Sequence, residues 1–265
     1  MTAPITVSFG AATDVGRRRS LNEDSVIAET PVFLVADGMG GHDAGEAASQ
    51  MAVAAFRAFA GRTHVDVDAV RAALDAVRRR IDVLSSSRGA GAGTTLTGVV
   101  VTETRGVGHW LALNIGDSRT YRLSGGNLAQ ISVDHSLVQE LVDAGELAAA
   151  QAEGDPRRNV ITRALGAGSS ARIDYWMLPA APGDRILVCS DGLPREVDHA
   201  AIGDILRREP DPQRAADRLV AAAVARGGRD NVTAIVVDAL AVAGRGGADD
   251  TGELDVDTRP RRERA

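Results

Sequence analysis

Read for periodicity, the chain alternates short apolar runs with longer stretches in which apolar residues recur every three to four positions. Residues 32–36, 96–101, 110–115 and 186–189 read as strands, with 232–237 as a fifth. Several of these runs are continuous rather than alternating, as in strands covered on both faces, so helices or a second sheet must lie over them. Residues 45–59 are Ala-rich, with Ala47, Met51, Ala54 or Ala55, and Phe59 near helical spacing. Residues 67–84 repeat apolar side chains at Val70, Leu74, Val77, Ile81 and Leu84. A second helical pair covers 200–208 and 213–225, the latter capped by Asp211 with Pro212 in its first turn. This order predicts two sheets packed together with a helical layer outside each.

Composition changes this picture little but narrows the function classes. A chain of 265 residues with 44% apolar content can bury one large core, and with only 3% aromatic residues that core must be aliphatic. The basic residues are all arginine, and a net charge of -6 argues against a nucleic-acid surface, which needs a dominant basic face. The single cysteine, Cys189, excludes an intramolecular disulfide and suits a reducing compartment. No apolar run reaches the length of a membrane span, and residues 1–10 lack a basic segment followed by an apolar one, so a cytoplasmic chain with no membrane partner is expected. From Gly244 onward the chain turns to Gly, Asp, Glu, Thr and Arg without apolar periodicity. Residues 1–240 are expected to form the domain and 241–265 a disordered tail.

The chemistry lies where the apolar runs end. Residues 32–36 run into Asp37-Gly38, 111–115 into Gly116-Asp117, and 186–190 into Asp191-Gly192, while Asp230 precedes the last strand. One Asp-Gly step is an ordinary turn. Four carboxylates at strand ends are less ordinary, because an antiparallel last strand would bring Asp230 to the same rim as the others. Clustered carboxylates repel one another unless cations compensate them, and an all-oxygen set suits hard ions such as Mg2+ or Mn2+ better than zinc. Near the N-terminus, Arg17-Arg18-Arg19 stands beside Glu23-Asp24, either as a self-neutralising loop or as the source of a bidentate arginine for phosphate oxygens.

These residues resemble the metal-dependent protein phosphatases of type 2C, in particular their compact bacterial members. The resemblance rests on eight segments in register: Thr13-Asp14-Val15-Gly16 with Arg19 and Asn22-Glu23-Asp24; Val35-Ala36-Asp37-Gly38-Met39-Gly40-Gly41; Gly93-Thr94-Thr95; Asn114-Ile115-Gly116-Asp117-Ser118-Arg119; Asp134-His135-Ser136; Asn159-Val160-Ile161-Thr162-Arg163-Ala164-Leu165-Gly166; Ser190-Asp191-Gly192-Leu193; and Asp230-Asn231-Val232-Thr233. It implies an α+β fold, a four-layer αββα sandwich of two antiparallel β-sheets flanked by helix pairs, which agrees with the layer order above. It further implies two Mn2+ or Mg2+ ions bridged by Asp37. The Gly38 carbonyl would bind one ion and Asp191 with Asp230 the other. Asp117 with Asp191 would hold a third ion, as in bacterial members. Glu23 and Asp24 would act through metal-bound waters, and Arg19 would bind the substrate phosphate. The implied reaction is hydrolysis of phosphoserine or phosphothreonine in a phosphoprotein by a metal-bridging hydroxide. It would reverse bacterial serine/threonine kinase signalling, with a kinase among the candidate substrates and a monomer as the expected state.

Residues 137–154 correspond in the resemblance to a flap beside the metal site. Where many eukaryotic relatives have His after the Asp-Gly, this chain has Met39, and His42 is a weak substitute as a proton donor. Asp155 stands where relatives often have His before Pro156. Two rival readings remain open. Cys189 to Arg195 has the spacing of a cysteine-phosphatase loop, although no basic residue flanks the cysteine. A degenerate domain that binds phosphoproteins without turnover would keep the fold and lack the chemistry.

Overall fold

A computed structural model describes residues 2–40, 43–88, 91–152, 154–166 and 172–244. Eleven strands are formed among them: β1 (Ile5–Asp14), β2 (Asp24–Glu29), β3 (Val32–Met39), β4 (Gly93–Thr94), β5 (Leu96–Thr104), β6 (Val107–Ile115), β7 (Arg119–Ser124), β8 (Asn127–Gln130), β9 (Asp174–Pro179), β10 (Arg185–Cys189) and β11 (Val232–Val242). One sheet has the order β1-β11-β10-β7-β8, the other β2-β3-β5-β6-β9 with β4 paired to β3, and every pairing is antiparallel. Helices α1 (Asp43–Ala54) and α2 (Val67–Arg88) cover the second sheet, and α5 (His199–Arg208) and α6 (Pro212–Arg226) cover the first. Two short helices, α3 (Leu137–Asp143) and α4 (Ala149–Ala152), lie in the connection between β8 and β9. The α+β sandwich is thus present in four layers, as expected.

Strand β3 shows why its sequence is apolar without alternation. Val32, Leu34 and Ala36 pack toward α1 and α2, while Phe33 and Val35 pack against Ile186, Val188, Ile235 and Val237 of the facing sheet. Both faces of the strand are therefore dry, and period-2 patterning disappears. A third cluster joins Leu187, Cys189, Ala234 and Val236 to Leu206, Leu219 and Ala223 of the other helix pair. Asp211 caps α6 by accepting from the Arg214 N–H, with Pro212 at the start, as expected. The Ala-rich stretch departs from expectation: α1 ends at Ala54 and a 3-10 turn, Ala55–Phe59, follows, tightening the chain so that Phe56 and Phe59 both reach the core.

Strands β1, β2, β8 and β9, the edges of the two sheets, escape the sequence reading, and so do the two-residue β4 and the interior β7, whose Arg119 and Arg122 interrupt its apolar pattern. β11 continues past residue 240 as far as Val242, whose Cα pairs with Ile5. Residues 245–265 and His42 lie outside the described residues.

The helical layer over the first sheet is tied down by one buried arginine. Arg185 forms a two-point pair with its cross-strand partner Asp238 (2.6 and 2.7 Å) and donates to the carbonyl of Leu206 in the last turn of α5 and to those of Glu209 and Pro210 between α5 and α6. Arg185→Met leaves that carboxylate and three carbonyls without their donor, and is expected to cost about 3–5 kcal/mol of stability. Urea unfolding would measure it, and a loss below about 1 kcal/mol would show the carbonyls re-solvated.

Candidate metal centre

The predicted carboxylates meet at one rim of the sandwich. β3 delivers Asp37 to that rim, β6 leads through Gly116 to Asp117, and β10 leads through Ser190 to Asp191. Because β11 runs antiparallel to β10, with Cys189 opposite Ala234, the segment before β11 brings Asp230 to the same end. Asp24 starts β2 directly opposite Asp37 in the β2–β3 register. Glu23 precedes it, with its carbonyl accepting from the Gly38 N–H at 3.2 Å.

Small residues permit this crowding. A methyl group on Gly38 would overlap the Gly45 carbonyl and come within 2.7 Å of the Glu23 carbonyl, and one on Gly192 would overlap the Asn231 carbonyl. The Asp37-Gly38 and Asp191-Gly192 turns are thus packed backbone against backbone onto neighbouring chain segments. Neither glycine could be exchanged without moving them.

Hydroxyl and amide groups hold the carboxylates in place. Asp24 Oδ2 accepts from Ser190 Oγ (2.8 Å) and Thr233 Oγ1 (2.7 Å), which ties the two sheets together at the site. Thr95 Oγ1 accepts from the Asp37 N–H, and Thr94 Oγ1 donates to the Asp37 carbonyl. Asn231 donates to the Val15 and Leu21 carbonyls and accepts from the Glu23 N–H, so it fixes both ends of the loop that carries Arg19. Behind Asp117, Arg119 pairs with Asp134. His135 accepts from the Gly116 N–H through Nδ1 and donates through Nε2 to Asp174. Ser190, Thr233 and Asn231 belong to the matched segments, but the sequence assigns them no task. Their roles follow from cross-sheet neighbours that no local pattern identifies.

The electrostatics are those of uncompensated negative charge. Burial pushes the Asp24 carboxyl up to about 6 despite hydrogen bonds from Thr233 and Ser190. Burial, followed by the nearby charges of Asp24, Asp191, Asp117 and Asp230, holds Asp37 well above the usual carboxylate range. Asp191 is raised in the same way, by burial first and Asp117 next. Two guanidinium groups partly answer this charge. Arg19, about half exposed, grips Asp230 at two points (2.9 and 3.0 Å). Arg195 sits deeper, on Asp191, on Asp230 at 3.0 Å and on Asp117 at 3.7 Å. Arg195 entered the sequence reading only as the arginine of the cysteine loop. Its four-residue spacing from Asp191 was the available signal.

Among the described residues no three acidic, His or Cys side chains are already gathered as a cage. The donor set nonetheless fits divalent ions. Buried oxygens of Glu23 (Oε1), Asp24 (Oδ1), Asp117 (Oδ1) and Asp191 (Oδ1) have no hydrogen-bond partner. Four orphaned carboxylate oxygens at one rim are costly in an interior unless a cation takes them up, and hard oxygen donors suit Mn2+ or Mg2+. Beside them opens a cleft of about 460 Å3, lined among others by Arg19, Asp37, Gly38, Asp191 and Asp230.

A family model described as Protein phosphatase 2C matches residues 17–223. The chain belongs to the protein phosphatase 2C family. Within this family it is similar to the serine/threonine protein phosphatase PstP of Mycobacterium tuberculosis, with 38% identity over 89% of this chain and 46% of that protein. The chain therefore spans about half the length of this curated relative. It is 36% identical to the serine/threonine phosphatase stp of Listeria welshimeri, over 85% of this chain and 93% of that one. Among solved structures it is similar to the Mycobacterium tuberculosis phosphatase PstP/Ppp, with a TM-score of 0.81, 37% identity, and coverage of 88% of this chain and 98% of that one. It is also similar to the PstP catalytic domain in complex with two manganese ions, with a TM-score of 0.79, 35% identity, and coverage of 89% and 99%. These likenesses agree with the type 2C resemblance read from the sequence.

The cysteine loop is not built as a nucleophile site. Cys189 is fully buried within β10 among Leu187, Ala234 and Val236, and burial pushes its thiol up to about 12. Arg195 turns to the carboxylates instead. The segment expected as a flap, 137–154, contributes Val138, Gln139 and Ala152 to a second cleft that also touches Asp117 and Asp191.

Proposed function

We propose that this chain is a Mn2+- or Mg2+-dependent phosphatase of phosphoserine and phosphothreonine in proteins. The observation that carries this reading is the convergence, on one cleft, of carboxylates from four chain segments with buried oxygens left unpartnered. In this reading Asp37, the Gly38 carbonyl, Asp191 and Asp230 would hold the two ions. Glu23 and Asp24 act through waters. Bound there, two divalent cations lower the pKa of a shared water and offset charge on the phosphoryl oxygens. The protein supplies position. Asp24 and Asp37 are locked opposite each other in one ladder, and Ser190 and Thr233 fix the Asp24 carboxylate across the two sheets. Arg19 stands at the mouth of the cleft with half its side chain exposed, able to exchange Asp230 for a substrate phosphate held by two parallel N–H donors. PstP in complex with two manganese ions supports the ion count.

A cytoplasmic setting, substrates phosphorylated by a bacterial serine/threonine kinase, and a monomeric state complete the proposal; no helix of the described residues is long and apolar enough to cross a membrane. The experiment is hydrolysis of p-nitrophenyl phosphate and of a phosphothreonine peptide with MnCl2, with EDTA, and with iodoacetamide. Mn2+-dependent turnover that EDTA abolishes and iodoacetamide leaves intact is expected. Metal-independent, alkylation-sensitive turnover would move the nucleophile to Cys189, and silence under every condition would make the domain a binding module.

The domain boundary is proposed at the end of β11. Truncation after Gly244 is expected to leave turnover of p-nitrophenyl phosphate within about twofold of the full chain, because Val242 still pairs with Ile5. A tenfold loss would place part of the catalytic unit in 245–265.

A further inference from the structure

The resemblance calls for a third divalent ion held by Asp117 and Asp191, and the side chains at that place point elsewhere. Asp117 is almost completely buried, and its cationic neighbour is Arg195, whose Nη2 lies 3.7 Å from Asp117 Oδ2 and in direct contact with Asp191 Oδ2. Its other terminal nitrogen, Nη1, reaches Asp230 Oδ2 at 3.0 Å. One guanidinium group therefore spans the carboxylate pair that a third ion would need.

The nearby acids offer nothing further to such an ion. Asp134 is taken by Arg119 at two points, Asp174 by His135, and Glu196 by Arg229. Charge bookkeeping agrees. Six carboxylates gather at the rim, those of Glu23, Asp24, Asp37, Asp117, Asp191 and Asp230, together with two guanidinium groups, those of Arg19 and Arg195. Among these groups six negative charges less two positive ones leave four, no more than two divalent cations supply, and Arg158, which also lines the cleft, adds further positive charge. A third divalent ion beside Arg195 would bring surplus positive charge into a largely buried pocket, where like charges interact strongly.

We propose that Arg195 is the third cation of this site: its guanidinium group takes the place between Asp117 and Asp191 and limits the protein to two divalent ions. The inference rests on the two-ion reading above. It assigns Asp117 Oδ2 to an ion pair rather than to a third ion; Oδ1 of Asp117 and Oδ1 of Asp191 are both left unpartnered and face the charge of the two core ions.

The test counts ions rather than turnover. Full-length protein is dialysed against MnCl2, and bound manganese is measured by elemental analysis and located by anomalous scattering in crystals. Wild type is expected to hold two ions per chain. Arg195→Met is expected to hold three, the new one between Asp117 and Asp191, and Arg195→Met/Asp117→Asn to return to two. Arg195→Lys retains the charge and should stay at two. In the absence of metal, Arg195→Met should melt below wild type, and Mn2+ should close the gap. A third manganese between Asp117 and Asp191 in wild type would overturn the inference. So would an Arg195→Met protein that folds, binds two ions and gains no third. Fewer than two ions in wild type would instead remove the two-ion reading on which the inference stands. Should Arg195→Met fail to fold, the wild-type anomalous map still decides.

Discussion

Asp37→Asn is expected to cut turnover by about 10^3-fold or more while raising the melting temperature of the metal-free protein. In the proposed site Asp37 would help hold both ions, and losing several kcal/mol of charge stabilisation at 1.36 kcal/mol per decade gives that magnitude. The stability effect has the opposite sign. Burial and the charges of Asp24, Asp191, Asp117 and Asp230 raise the folded-state pKa of Asp37. The ionised group is therefore worse off folded than unfolded, and without metal its stability penalty grows as pH rises above about 4. Asn keeps the shape and removes the charge. The gain should be absent near pH 4, present at pH 7, and worth roughly 2–4 °C per kcal/mol in a chain of this size. Steady-state kinetics with saturating Mn2+ and melting curves with EDTA at the two pH values measure both halves. Near-normal turnover would remove Asp37 from the chemistry, and a lower metal-free melting temperature at pH 7 would contradict the electrostatic account.

Gly192→Ala should be the most damaging single-methyl change at the site, with activity down about 100-fold. The added carbon would overlap the carbonyl of Asn231, a backbone atom that cannot rotate away. Relief requires the Asp191-Gly192 turn and the Asp230-Asn231 segment to separate, and a displacement on the order of 1 Å between catalytic groups costs about 10^2 in rate. Asn231 also holds the Val15 and Leu21 carbonyls and the Glu23 N–H, so the movement spreads to the loop bearing Arg19. Overpacking of this kind costs about 1–3 kcal/mol of stability. A raised Mn2+ midpoint together with a lower melting temperature is the expected signature. Wild-type values for both would mean that the two turns are not docked as tightly as their backbones indicate.

Helix α6 was readable to within one residue at each end, because its start depends on Asp211 and Pro212, neighbours in sequence. The central strands β3, β5, β6, β10 and β11 were equally legible, since burial on both faces leaves an apolar run such as 32–36, whereas the interior β7, interrupted by Arg119 and Arg122, was missed. Edge strands were not. β9 holds a short apolar run, Tyr175 to Leu178, but every residue of the strand stays partly or largely exposed, so it lacks the two-sided burial that marks the central strands. At the site, Asp37, Asp117, Asp191 and Asp230 announced themselves by standing at the ends of apolar runs. Arg195 did not, because a guanidinium group on a turn reads as surface until its partners are placed around it.

The sequence by itself determined the layers, the helix pairs, the four Asp positions and the family resemblance, all of which rest on local periodicity or on residues adjacent in the chain. Only the tertiary structure decided which charges meet. Asp24 opposite Asp37, Ser190 and Thr233 on Asp24, and Arg195 among Asp117, Asp191 and Asp230 join segments up to 209 residues apart. Those distances close only when two antiparallel sheets pack face to face and bring their strand ends to one rim. Coulomb interactions and hydrogen bonds depend on separation in space, and no spacing along the chain encodes it.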